Sequence, residues 1–157
     1  MKISAAALAV FIACSPASTL RYSAVDPVTD ELVALERGAL DRWGRGDPQG
    51  YLDVMEPGIT YFDPFTSARV DDFDAMKAWL TPFTGKIHID RYQILNPRVQ
   101  RVGDLAVLTF NLVDEVDNPK ITARWNTTEV YHRTGNSWRI IHSHWSFIKP
   151  DLKTPAG

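Results

Sequence analysis

The feature that most constrains this chain lies in its C-terminal half, where four long stretches, 87–102, 105–116, 121–132 and 138–149, read as strands rich in apolar and aromatic residues. Successive side chains on an extended strand point to opposite faces, so residues two apart share a face. The separators are Gly103-Asp104, the polar 117–120 segment and Gly135-Asn136, residue types that favour tight reversals. Strands joined this way pair antiparallel. On the last stretch Trp138, Ile140, His142, His144, Ser146 and Ile148 form one row, and Arg139, Ile141, Ser143, Trp145 and Phe147 the other. Alternation alone leaves open which row faces inward.

The N-terminal half carries a different period. Leu32, Leu35, Ala39, Leu40 and Trp43 recur at steps of three and four, the spacing of one buried helical face. Pro27 suits the first turn, while Gly44, Gly46 and Asp47-Pro48 end the helix, and 51–55 reads as a short second one. The 58–67 segment is aromatic and β-rich, with Pro64 allowing an edge strand only. Phe73, Met76, Trp79, Leu80 and Phe83 restore helical spacing, with Asp72 as the expected cap and Gly85 as the exit. The fold class is therefore α+β: N-terminal helices against one face of an antiparallel sheet.

With 157 residues the chain has the size of one domain, assigned to 27–149, with 150–157 a frayed tail. Its hydrophobic fraction of 45% argues against disorder. Seventeen basic against nineteen acidic side chains leave no concentrated basic surface, so nucleic acid is not an expected partner. Residues 1–20 have the order of a secretory signal: Lys2, an uncharged apolar run from Ile3 to Ala13, then small residues around Ser15 and Ala17. That run is too short for a membrane span. The alternative is an N-terminal helix packed on the domain. The lone cysteine, Cys14, permits no internal disulfide, and Phe11 to Cys14 has the look of an imperfect bacterial lipobox, which would make a lipid anchor there. A secreted or periplasmic address follows, with cleavage near Ala17.

The last two strands carry Thr128-Glu-Val-Tyr-His-Arg, then Gly135, then Trp138-Arg-Ile-Ile-His-Ser-His-Trp-Ser146. With Ile94 to Asp104, the first helix through Gly46-Asp47, and Ile59-Thr-Tyr-Phe-Asp-Pro64, this pattern resembles the association, or hub, domain of calcium/calmodulin-dependent protein kinase II, within the NTF2-like and SnoaL-like superfamily. The resemblance spans roughly residues 29–146. It implies a cone in which a strongly curved sheet wraps around helices, and a homodimer or larger ring formed through the sheet. Nothing in the chain matches a kinase catalytic region. Matching the hub's three pocket arginines onto this chain leads to Asn111, Glu129 and Trp145, none of them arginine. An acid-binding pocket is therefore not carried over, and Glu129 points to a neutral or basic ligand.

The same carry-over turns Trp145, Ser143 and Ile141 inward, with Val107, Thr109, Asn111 and Val113, then Trp125, Thr127, Glu129 and Tyr131, on the neighbouring strands. Those rows offer apolar walls with a few polar groups, as small-molecule pockets do; a packed core with polar rims is the alternative. The ligand-contacting candidates are Tyr61, Asn111, Trp125, Tyr131 and Trp145. Asp63 and Glu129 are the candidate general bases, since burial raises a carboxyl pKa toward neutrality, with Tyr61 or Tyr131 as donors to developing oxygen charge. His142 and His144 form only an i,i+2 pair, and no metal or other cofactor is expected. Two functions follow: an exported oligomeric domain binding a small organic ligand or a protein partner, or a cofactor-independent isomerase or cyclase.

Overall fold

A computed structural model describes residues 27–148; the signal, lipobox and tail assignments fall outside the described residues. The elements are α1 (Pro27–Trp43), α2 (Gln49–Leu52), β1 (Met55–Phe62), β2 (Val70–Asp71), α3 (Phe73–Leu80), β3 (Arg91–Val102), β4 (Leu105–Asp117), β5 (Lys120–Thr134) and β6 (Ser137–Phe147). The strands form one open, curved sheet in the order β2-β1-β6-β5-β4-β3. Strands β3 to β6 are the expected antiparallel meander. The turns at Gly103-Asp104 and Gly135-Asn136 each have a positive φ at the glycine, 59° and 62°, as two-residue hairpins require.

The sheet is mixed, not wholly antiparallel, because β1 runs parallel to β6. The chain leaves β1 through β2 and α3, crosses to the far edge, and returns strand by strand to lie beside it. Two boundaries also differ from the sequence reading. Met55 opens β1 instead of closing the second helix, since Ile140 donates its backbone N–H to Val54 at 2.7 Å and draws the chain into the sheet. Residues 87–90 are not strand: Ile89 donates to the Gly44 carbonyl at 3.0 Å, so this segment is tied to the exit of α1.

That tie shapes the mouth of the molecule. Gly46, at φ 77°, closes α1, and Gly85 donates to its carbonyl at 2.8 Å. A Cβ on Gly46 would lie 2.9 Å from Gly85 Cα, so only glycine permits both the backbone sign and the approach. Asp72 caps α3 as expected, accepting from Ala75 N at 2.9 Å. Tyr92 of β3 donates to Asp41 at 2.6 Å and holds α1 across the sheet.

The core lies between the helices and the concave sheet face. Leu32, Ala39 and Leu40 of α1 join Ile59 of β1, Ala106, Leu108, Phe110 and Leu112 of β4, and Ile140 of β6, all nearly free of solvent. Among the described residues no helix is long and apolar enough to cross a membrane.

Gly46→Ala is expected to lower unfolding free energy by about 1–3 kcal/mol, from strain at the left-handed position and the clash with Gly85. Urea denaturation followed by far-UV circular dichroism measures it; an unchanged midpoint would mean that the α1 exit is not held against Gly85.

Candidate functional site

Opposite residues on paired strands share a face, and this fixes the inward rows. Leu108 faces Glu129, which faces Ser143; Phe110 faces Thr127, which faces Trp145. All but Trp145 are buried, and Trp145 is half-buried. The inward row of β4 is therefore Ala106, Leu108, Phe110 and Leu112, and the expected row of Val107, Thr109, Asn111 and Val113 lies on the convex side. Asn111 donates there to Asn126 Oδ1 at 2.8 Å and is not a pocket residue. On β6 a bulge at Ile141 switches the face: Trp138 and Ile140 point inward before it, Ser143 and Trp145 after it. Ile141 itself does not join the inward row.

Beneath the inward rows lies a closed polar network. Glu129 is fully buried and Glu36, on α1, is 1% exposed. Tyr51 donates to Glu36 Oε1 at 2.7 Å. Tyr131 donates to Glu129 Oε2 at 2.7 Å, with Glu36 Oε2 at 3.4 Å. Ser143 donates to Glu129 Oε1 at 3.1 Å, and Trp145 Nε1 donates to Ser143 Oγ at 2.9 Å. The two carboxyls meet at the Tyr131 hydroxyl, and a charge on each at this depth would be costly, so the pair retains one proton. Burial raises both pKa values; that of Glu36 rises further because the charge of Glu129 favours the protonated form. That direction puts the retained proton on Glu36, and Glu129 accepts from Tyr131 and Ser143. Burial and the neighbouring carboxylates also push the hydroxyl pKa values of Tyr51 and Tyr131 well up, so both stay donors.

Above this floor opens a cavity of about 460 Å³ between α1, α3, the 81–89 segment and the sheet. Its walls include Trp43, Trp79, Trp125 and Trp145, with Tyr51 and Phe83. Edge-to-face packing fixes the rings: Trp125 against Trp145 at 6.0 Å and Tyr51 against Trp145 at 6.4 Å. The polar lining is sparse: Tyr61, Asp63, His88, Asp114 and Ser143. Asp114 of β4 accepts from Trp125 Nε1 at 3.1 Å, and partial burial raises its pKa.

Of the residues singled out in sequence, Tyr61, Asp63, Trp125 and Trp145 come together in the cavity wall. Asp63 is engaged in a turn, accepting from Phe65 N and Thr66 N at 2.8 Å and from Tyr61 at 3.0 Å. Glu129 and Tyr131 sit in the network behind the wall. His142 lies on the convex side, hydrogen-bonded to Thr60 at 2.8 Å, and its pKa is lowered, first by burial; His144 stands beside Phe62. Arg91 and Arg124 are exposed and neutralise neither candidate base, Arg91 pairing instead with Glu115 and Asp117. Glu36 and Asp114 were missed. Glu36 stands four residues from both Leu32 and Leu40, and Asp114 continues the Leu108, Phe110, Leu112 row.

The sequence profile of the calcium/calmodulin dependent protein kinase II association domain matches residues 29–148. A candidate ketosteroid isomerase from Parabacteroides distasonis superposes with a TM-score of 0.70 at 29% identity, over 85% of this chain and 95% of its own. The CaMKII hub homology domain of Chlamydomonas reinhardtii gives 0.65 at 24%, over 78% and 98%. An NTF2-like protein of unknown function from Pseudomonas putida gives 0.68 at 20%, over 83% and 93%.

The retained proton carries a pH signature. Because folding raises the pKa of Glu36, the native state binds more protons than the unfolded one, so stability falls as pH rises from the ordinary glutamate range through the raised value. Glu36→Gln keeps the geometry of the protonated acid and is expected to flatten that decline. Glu36→Ala, which strands Glu129 and Tyr51, should cost about 3 kcal/mol. Denaturant titrations from pH 5 to pH 9 check both; a parallel decline in wild type and Glu36→Gln would rule out a proton held on Glu36.

Proposed function

We propose that this chain, which belongs to the calcium/calmodulin dependent protein kinase II association-domain family over residues 29–148, is an oligomeric domain whose cavity binds a small, mainly apolar organic molecule. The observation that carries this reading is the cavity itself. Its volume of about 460 Å³ and its aromatic walls with few polar groups match what ligand sites require. A packed core would fill such a space, because voids of that size forfeit contacts.

The assembly part rests on the family and on the convex sheet face. Val107, Val130 and His142 form one cross-strand row, Thr109, Thr128 and His144 the next, and Asn111, Asn126 and Ser146 a third. These rows are small and carry no carboxylate or ammonium, and a second copy can pack on them without burying charge. The reading extends to export, supported by Lys2 and the apolar run from Ile3 to Ala13, with anchoring through Cys14 as its variant.

A second reading has its own support: proton transfer by Asp114, an isomerase-type reaction without cofactor. Its carboxyl faces the cavity with a pKa raised by burial, as a base working near neutral pH needs, and one structural relative is described as a candidate isomerase. Glu129, the base expected from sequence, is sealed behind Ser143 and Tyr131, while Asp63 keeps its turn.

Trp79, Trp125 and Trp145 report on cavity occupancy. A fitting ligand is expected to change intrinsic fluorescence saturably and raise Tm, and Trp145→Ala to weaken binding at least tenfold. A screen of small aromatic and alicyclic compounds in which neither signal moves would refute ligand binding. Sedimentation should give a dimer or larger species, which Thr128→Arg shifts toward monomer. A non-conjugated enone whose conjugation is followed by absorbance tests the second reading: it predicts turnover lost in Asp114→Asn, and turnover unchanged by that substitution would reject it.

A further inference from the structure

The charge of the cavity wall narrows the ligand beyond its size. Among the described residues that line it there is no lysine or arginine, while Asp63 and Asp114 are both present. The sole lining group that can become cationic is His88, which sits 3.0 Å from Asp90 at an exposed position. Asp63 has three donors of its own. Asp114 differs: it accepts from the Trp125 indole and from backbone N–H groups, and from no cation. A carboxylate half-buried against aromatic rings without a counter-charge is costly.

The rings themselves favour the same sign of partner. Four tryptophans, two tyrosines and two phenylalanines line the cavity, and aromatic faces attract cations through their quadrupole. Trp125 donates to Asp114 through its ring edge and packs against Trp145, so the carboxylate and the aromatic rings bound one space. An anionic ligand would meet two carboxylates and no wall cation. A neutral one would leave Asp114 uncompensated.

The geometry points to an organic ammonium ion with an apolar body, tertiary or quaternary at nitrogen, held between Asp114 and the tryptophan walls. The degree of substitution follows from the scarcity of acceptors: a primary ammonium brings three N–H donors, and the wall offers few groups to receive them, whereas an alkylated nitrogen needs little beyond the carboxylate and the ring faces. This inference rests on the proposed ligand-binding reading and specifies the ligand class for that same cavity.

Three probes of one shape test it on the full chain by tryptophan fluorescence and calorimetry. They are 2-phenylethyl-trimethylammonium, its carbon isostere with tert-butyl in place of trimethylammonium, and a phenylalkyl carboxylate of equal length. The expected order is ammonium at least tenfold tighter than the isostere, with the carboxylate weakest. In Asp114→Asn, checked for an unchanged circular dichroism spectrum, the preference for ammonium over the isostere should collapse. Equal or tighter binding of the isostere or carboxylate to the wild-type chain would overturn the ammonium assignment and leave the ligand-binding reading standing, as would a preference that survives Asp114→Asn. Binding of none of the three would overturn the assignment, and the failure of the compound screen as well would take the ligand-binding reading with it.

Discussion

The buried pairing of Glu36 and Glu129 around the Tyr131 hydroxyl is the constraint on which the interior depends. It joins α1 to β5 at a place without water, where two carboxylates cannot both be charged at tolerable cost. Holding one proton there removes the repulsion between them, and Tyr51, Tyr131 and Ser143 donate to the carboxyl oxygens. A polar network inside a core stabilises a unique arrangement only when every member is satisfied. Here the satisfied set reaches from the second helix to the last strand.

The network also determines what the cavity looks like. Ser143 is oriented by Glu129 and in turn receives the Trp145 indole N–H, so this ring of the cavity wall is held from behind by hydrogen bonds rather than by packing alone. Trp145 then contacts Tyr51, Phe110 and Trp125 edge to face. Large rings braced in this way keep their separations, leaving a space instead of collapsing into it. The mouth is set independently, by Gly46 against Gly85 and by the hydrogen bond from Ile89 to Gly44.

How much of this was legible in the sequence depends on whether the signal was local. The helix faces through Leu32 and Leu40, the cap at Asp72 and the hairpins at Gly103 and Gly135 follow from neighbours within a few residues, and all are present. The parity of β4 was legible in part, since Ala106, Leu108, Phe110 and Leu112 form an all-apolar row while the other row holds Thr109 and Asn111; the family correspondence pointed the other way, and cross-strand register with Glu129, which is non-local, decides it. Parity on β6 changes at Ile141 because of a bulge that alternation cannot foresee. The parallel partnership of β1 and β6 joins residues about eighty positions apart. Glu36 was hidden by its type: a glutamate on a helix is ordinarily solvated, and only its fixed spacing from Leu32 and Leu40 marked it as inward. Asn111 shows the converse error, a residue placed in the pocket by family correspondence that register turns to the outside.

These elements reduce to one claim about a proton, and infrared difference spectroscopy tests it directly. At neutral pH the wild-type protein should show the carbonyl band of a protonated carboxylic acid in an environment shielded from water, and the band should vanish in Glu36→Gln. A spectrum with no such band at neutral pH, or one whose band persists in Glu36→Gln, would contradict the account.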